Sequence, residues 1–105
     1  MSLDSYHREK FSNAMYSLAT HLPLNQRLIH AFTELVMVQP ENFSNQELGE
    51  KYRTLYAQVT AAKEQYEGQG TLQATLFNMN EDELNEVARI VVEINNQLLW
   101  EAVPV

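Results

Sequence analysis

The chain has 105 residues, with 14 acidic and 7 basic side chains, a formal charge of −7 at pH 7 and no cysteine. A hydrophobic share of 45% and a charged share of 20% are ordinary for a globular protein and argue against a disordered or low-complexity chain. The absence of cysteine excludes a disulfide framework and a cysteine-based zinc site, and the length predicts a single domain over 1–105.

Proline residues end the first two predicted helices. Apolar residues recur three and four apart near the N-terminus, which predicts a helix over 4–21 that stops before Pro23. A second helix, over 25–39, can start at the candidate cap Asn25 and must end before Pro40.

The third predicted helix covers 45–67 and has a strong start signal. Ser44 is the predicted cap, and Glu47, three residues later, closes a capping box. Gly68 and Gly70 are predicted to end this helix, because glycine is favoured just after a helix C-terminus.

The connector 71–79 leaves two structures open. Leu72 and Leu76 are four residues apart, which permits a short helical turn under the bundle. An ordered loop fits the same residues.

The last predicted helix, over 81–99, is apolar over more than half of its circumference. Asn80 is its candidate cap, and Glu83 closes a capping box. An apolar seam at heptad spacing consists of Leu84, Val87, Val91, Ile94 and Leu98, and a flanking stripe consists of Ala88, Val92 and Leu99. Because a helix of a small monomeric bundle buries a narrower arc, this helix is predicted to be central or to lie in an oligomer interface.

Together these elements predict an all-α fold with four principal helices. Short connectors between sequential helices favour an up-and-down antiparallel bundle. A dimeric version, in which two protomers complete each other's core, is the alternative arrangement.

Most of the excess negative charge lies in the last helix. Residues 81–101 carry six acidic side chains and one basic one, a net −5. Asp82, Glu86 and Glu93 are the candidate acidic face, which either keeps the protein solvated or docks a basic partner, such as the cleft of a nucleic-acid-binding protein. Direct binding of this face to nucleic acid is disfavoured, because phosphates repel it.

Segment 44–59 resembles a helix-turn-helix, the DNA-binding motif. Ser44 to Tyr52 is similar to the first helix of that motif, and Val59 falls where its recognition helix carries an apolar residue. Arg53 and Thr54 depart from it, since they stand where the family places glycine and an apolar residue in the turn. One continuous helix accounts for the same residues.

No catalytic, cofactor or metal motif is evident, and we expect neither an enzyme nor a metalloprotein. The chain has no cysteine nucleophile, no Gly-x-Ser-x-Gly elbow and no His-Glu-x-x-His sequence. The pairs Asp4–His7, His30–Glu34 and Glu83–Glu86 are spaced for one helical face, but such pairs are common by chance. His7 lies one turn before the first apolar stripe and is expected to be a half-buried packing residue.

The apolar tail 100–105 and two tyrosines are the candidate interface. A tryptophan-containing tail exposed to water favours association, so it is expected to fold back on the bundle or to dock on a second protomer or a partner. The candidate interface residues are Leu98, Leu99, Trp100, Val103, Tyr52 and Tyr56.

The function predicted from these patterns is a non-enzymatic helical protein–protein interaction module that forms a homodimer. The alternative is a small acidic regulator of nucleic-acid machinery, which competes for a basic cleft or binds DNA through segment 44–59. We expect no membrane span, because the longest stretch without charge, 11–26, contains several polar residues. The first eight residues lack the apolar run of a secretory signal, so a cytoplasmic location is expected.

Overall fold

A computed structural model describes residues 3–102 and is all-helical over that range, which confirms the predicted fold class. The described residues form five α-helices, one more than the four predicted. They are α1 (Asp4–Leu18), α2 (Leu24–Glu34), α3 (Gln46–Val59), α4 (Thr71–Phe77) and α5 (Glu81–Glu101), with a short 3-10 turn at Pro40–Asn42 before α3. The additional helix, α4, forms in the connector where a helical turn and a loop were both open. The up-and-down order of four helices stays a prediction.

α5 contacts α1, α2 and α3, and its heptad seam is buried by them. The core around this seam is made of apolar side chains from α1, α2 and α3, and its largest fully buried members include Phe11, Leu28, Phe32, Leu35, Tyr52, Leu55, Val91, Ile94 and Leu98. The chain's own helices therefore account for the seam. The flanking stripe lies at the edge of this packing, and its last member, Leu99, is 51% exposed.

The two helix starts that looked alike in sequence behave differently. At α5, Asn80 and Glu83 form the predicted capping box. The backbone N–H of Glu83 donates to Asn80 Oδ1 at 2.8 Å, and the backbone N–H of Asn80 donates to Glu83 Oε1 at 3.0 Å. At α3, the predicted cap Ser44 is wrong, because the cap is Asn45, whose Oδ1 accepts a hydrogen bond from the Leu48 amide at 3.1 Å. The backbone amide of Ser44 instead donates to Asp4 at the start of α1.

The predicted third helix, 45–67, is also wrong at its C-terminal end, because α3 stops at Val59. Residues 60–70 include good helix formers, but several of their backbone amides donate to side chains instead of to helical carbonyls. The Ala62 amide donates to Thr75 Oγ1 at 2.9 Å, and the Gly70 amide donates to Glu64 Oε2 at 2.9 Å. Gly68 and Gly70 have positive φ angles of 89° and 83°, so they shape this connector rather than end α3.

α1 and α2 each end earlier than predicted. Side chains of residues farther along the chain donate hydrogen bonds to carbonyls near both ends. Arg27 donates through Nη1 to the Leu18 carbonyl at 2.9 Å and through Nε to the Leu22 carbonyl at 2.8 Å, so it satisfies the exposed end of α1. Past the end of α2, the Leu35 carbonyl accepts the buried hydroxyl of Tyr52 at 3.0 Å. Burial raises the pKa of the Tyr52 phenol, so this group is a neutral donor.

Gly49 lets α3 lie directly against the 3-10 turn. A Cβ atom at this position would overlap the carbonyl oxygen of Pro40 and would lie 3.3 Å from Cβ of Phe43. The obstacle is backbone, which cannot move aside as the end of a flexible side chain can. The position therefore requires glycine although it lies inside a helix.

Candidate interaction surface

Two grooves run along the C-terminal half of α5, one on each side. The groove between α1 and α5, here called the apolar groove, has a volume of about 320 Å³ and is lined by Ser12, Met15, Tyr16, Ala19, Asn95 and Leu99. The groove between α3 and α5, here called the polar groove, has a volume of about 670 Å³ and is lined by Asn45, Glu47, Leu48, Lys51, Glu93, Asn96, Gln97 and Trp100.

The apolar groove follows from helical periodicity on both of its walls. The α1 residues that line it are spaced three, one and three apart, so they share one side of α1, and Asn95 and Leu99 are four apart on α5. None of the six lining side chains carries a charge. Tyr16 is 76% exposed and Leu99 is 51% exposed, so the groove presents large apolar surfaces to water.

Asn95 is the unusual residue of the apolar groove. It is 8% exposed, and its side chain forms no hydrogen bond within the part of the chain that the structure describes. A primary amide has two donor hydrogens and an acceptor oxygen, and burying such a group without partners is unfavourable. Asn95 therefore provides a polar group without a partner in an uncharged surface whose other polar side-chain atoms are the hydroxyls of Ser12 and Tyr16.

Several polar side chains in and beside the polar groove bind one another. Lys51 Nζ lies 2.8 Å from Glu93 Oε1, which joins α3 to α5 across the groove. At the end of α5, Glu101 Oε2 accepts hydrogen bonds from Asn45 Nδ2 at 2.6 Å and from Gln97 Nε2 at 2.9 Å. Trp100 is 76% exposed beside these groups. Most of its neighbours are polar, and those named above already have partners, whereas the neighbours of Leu99 carry no charge.

The candidate acidic face is partly neutralised. Arg89 donates hydrogen bonds to both Glu86 and Glu93, and Lys51 also binds Glu93. The hydrogen bond from Arg89 lowers the pKa of Glu86, and the hydrogen bond from Lys51 lowers that of Glu93. Asp82 is exposed in the first turn of α5. Two of the three candidate carboxylates are therefore paired with cations, while the first turn of α5, with Glu81, Asp82 and Glu83, stays acidic.

The predicted interface residues occupy different environments. Leu98 and Tyr52 are buried in the chain's own core, so they offer no surface to a partner. Tyr56 is half-buried beside Tyr52, and Leu99 and Trp100 are exposed and line different grooves beside α5. The sixth predicted residue, Val103, lies outside the described residues.

Sequence reasoning predicted only Leu99 of the six residues that line the apolar groove, and Tyr16 and Asn95 are among those it missed. Tyr16 is one position away from the buried stripe of α1, so a pattern of apolar spacing passes over it. Asn95 was missed because it is polar, although it lies in the flanking stripe, three residues after Val92 and four before Leu99. A polar residue inside an apolar stripe is the signal that would have found it.

His7 is more buried than predicted and contributes to packing between α1 and the segment before α3. It is 1% exposed, and its ring stacks on Phe43 with the ring centroids 4.2 Å apart. Its Nδ1 lies 3.5 Å from Asp4 Oδ1 and has no hydrogen-bond partner among the described residues. Burial lowers the pKa of His7, whereas the Asp4 carboxylate acts in the opposite direction.

Segment 44–59 does not contain the turn of a helix-turn-helix. α3 is uninterrupted from Gln46 to Val59, and Arg53 and Thr54 lie exposed in its middle. The next helix, α4, follows only after residues 60–70 and has seven residues. The continuous helix, rather than the motif it resembles, is therefore the structure of this segment.

Residues 3–102 lack two further features. No group of three or more His, Asp or Glu side chains there is arranged to hold a metal ion. None of the helices in this range combines the length and apolar composition needed to cross a lipid bilayer. Comparisons of the chain with known protein families, curated proteins and solved structures found no match.

Proposed function

We propose that this chain is a non-enzymatic interaction module that forms a homodimer through the apolar groove. The observation that carries the proposal is the uncharged surface around Tyr16 and Leu99 on a protein with a net charge of −7. Removal of apolar surface of this kind from water lowers the free energy, and aromatic side chains are common anchors of interfaces.

A second copy suits this groove better than a partner chosen by charge. Two acidic chains repel each other over most of their surfaces, but at this groove no like charges would meet. In a two-fold dimer the same patch serves both subunits, so it must complement itself. An exposed tyrosine beside a recessed groove has that property, because each copy offers both a projection and a cavity.

The alternative function, an acidic competitor for a basic cleft, has weaker support. Glu86 and Glu93 are already bound by Arg89 and Lys51. A basic partner would have to displace these cations before it could use the carboxylates. The helix-turn-helix route to nucleic acid has no support from α3, which is continuous.

Sedimentation velocity across a concentration series tests the proposal. We expect the wild-type chain to dimerise at micromolar to millimolar concentration and Leu99→Glu to remain a monomer, because the substitution places a charge in the apolar groove. Asn96→Glu is the matched control, because Asn96 is exposed and lines the polar groove. It adds the same charge on the same helix but in the polar groove, and it should leave the dimer intact.

A wild-type monomer at every concentration would overturn the proposal, and so would equal loss of the dimer in both variants. Circular dichroism of each variant shows whether the helices are retained. The cytoplasmic location expected from the sequence is part of the same proposal, and fractionation of cells that contain the tagged chain tests it.

A further inference from the structure

Given the proposed dimer, we infer that the Asn95 side chain binds the phenol hydroxyl of Tyr16 from the second copy, and that this reciprocal contact sets the register of the interface. This contact adds a specificity-determining hydrogen bond to a surface that was proposed above on apolar grounds alone.

Asn95 needs a hydrogen-bond partner once the apolar groove is closed. Its side chain is 8% exposed and makes no hydrogen bond to residues 3–102. In the isolated chain, water can reach the amide through the open groove. Docking of an apolar surface would remove that water, so the occupant must supply a polar atom or leave the amide unsatisfied.

The hydroxyl of Tyr16 from a second copy can supply this polar atom. Tyr16 is 76% exposed, and its hydroxyl also forms no hydrogen bond within the described range. Its ring is apolar and its hydroxyl can donate or accept, so one side chain can fill apolar space and still satisfy an amide at the floor. The groove volume of about 320 Å³ has room for a phenol ring.

Two-fold symmetry repeats the Tyr16–Asn95 contact in both directions across the interface. Tyr16 and Asn95 line the same groove, on α1 and α5 respectively. Under a two-fold axis, a contact from Tyr16 of one copy to Asn95 of the other is made twice. A second copy therefore brings both polar groups that the interface needs, whereas another partner would have to carry its own matching group.

The dimer dissociation constant of four proteins tests the inference: wild type, Tyr16→Phe, Asn95→Leu and the double variant. We expect Tyr16→Phe to weaken dimerisation about tenfold, because it leaves the buried Asn95 amide without a partner. Asn95→Leu alone should also weaken it, because the hydroxyl is then unpaired. The double variant should return to within about threefold of wild type, since neither polar group is left to bury.

Tyr66→Phe is the matched control. It removes a phenol hydroxyl from another exposed tyrosine, in the connector 60–70 far from the groove in sequence, and should leave the dissociation constant unchanged. The urea midpoint of each variant shows that the fold is retained.

Each outcome decides something different. If Tyr16→Phe has no effect, or if the two substitutions are additive in the double variant, the inference is overturned. A loss on Asn95→Leu without any effect of Tyr16→Phe points to pairing of the two Asn95 amides across the axis instead. If the wild-type chain does not associate, the proposed function itself is wrong and the inference falls with it.

Discussion

The two grooves beside α5 differ in how their polar groups are satisfied. In the polar groove, Lys51 binds Glu93, and Glu101 beside it accepts two amide hydrogen bonds, so the exposed Trp100 lies near charged groups that already have partners. In the apolar groove there are no charges, and Asn95 has no partner within residues 3–102. The comparison shows that an exposed aromatic residue is a weak guide to an interface unless its neighbours also lack partners.

The largest expected effect is in α3, which forms one wall of the polar groove, where Gly49→Ala should disturb the packing of this helix against the 3-10 turn. Helix propensity alone would make this change stabilising by about 1 kcal/mol. The overlap with the Pro40 backbone should reverse the sign and lower the free energy of unfolding by about 1–3 kcal/mol. Urea unfolding measures the difference. Gln58→Ala, at an exposed position of the same helix, is the control, and a stabilised Gly49→Ala would show that the turn can yield.

The second prediction compares the two grooves directly through adjacent residues. Leu99→Ala should weaken the proposed dimer about tenfold, because it removes apolar surface from the apolar groove. Trp100→Ala removes a larger side chain from the polar groove and should change the dissociation constant by less than about twofold. Sedimentation equilibrium measures both. The reverse order of effects would move the interface to the polar groove.

The third prediction is that stability depends on pH through His7, which is buried beside Asp4, whereas the ion pair of the polar groove is exposed. Burial holds the pKa of His7 in the folded chain below its ordinary 6.5, so below pH 6.5 the unfolded chain binds a proton that the folded chain does not. The free energy of unfolding should therefore fall as the pH drops from 6.5 through the folded-state pKa, and level off below it.

Urea unfolding between about pH 8 and pH 5 checks this sign. His7→Gln should flatten the dependence, even if it lowers stability overall. His21→Gln, which replaces an exposed histidine between α1 and α2, should leave the dependence as it is in the wild type. A stability that rises on acidification would mean that the contact with Asp4 dominates over burial.

The smallest expected effect belongs to the ion pair that crosses the polar groove. The side chains of Lys51 and Glu93 are 43% and 39% exposed, and pairs this open to water add little to stability. Lys51→Met should leave the urea midpoint unchanged within error, at both low and high salt. A clear loss at low salt alone would show that this pair holds α3 against α5.

Local signals predicted part of the fold well. The capping box of Asn80 and Glu83 and the buried seam of α5 involve residues close together in sequence, so their pattern is sufficient. The same reasoning was wrong at Ser44, because its amide is bound by Asp4, which lies 40 residues away. No pattern around Ser44 carries that information.

The candidate site was predictable only to the level of the helix. The C-terminal part of α5 was predicted as part of an interface, which stays a prediction, but within it Leu98 is in the core and Leu99 is at the surface. The two differ only in which neighbours face them. Tyr16 joins the surface because α1 packs beside α5, a pairing between segments about 80 residues apart.

The amino-acid sequence by itself determined the all-helical class, the start of α5 and the heptad seam, because periodicity and capping act over a few residues. Tertiary structure alone decided that α3 ends at Val59, that Asn45 caps it, and which flank of α5 is left without charge. Those features depend on hydrogen bonds and packing between distant segments, such as Ala62 with Thr75, and such contacts override local helix propensity.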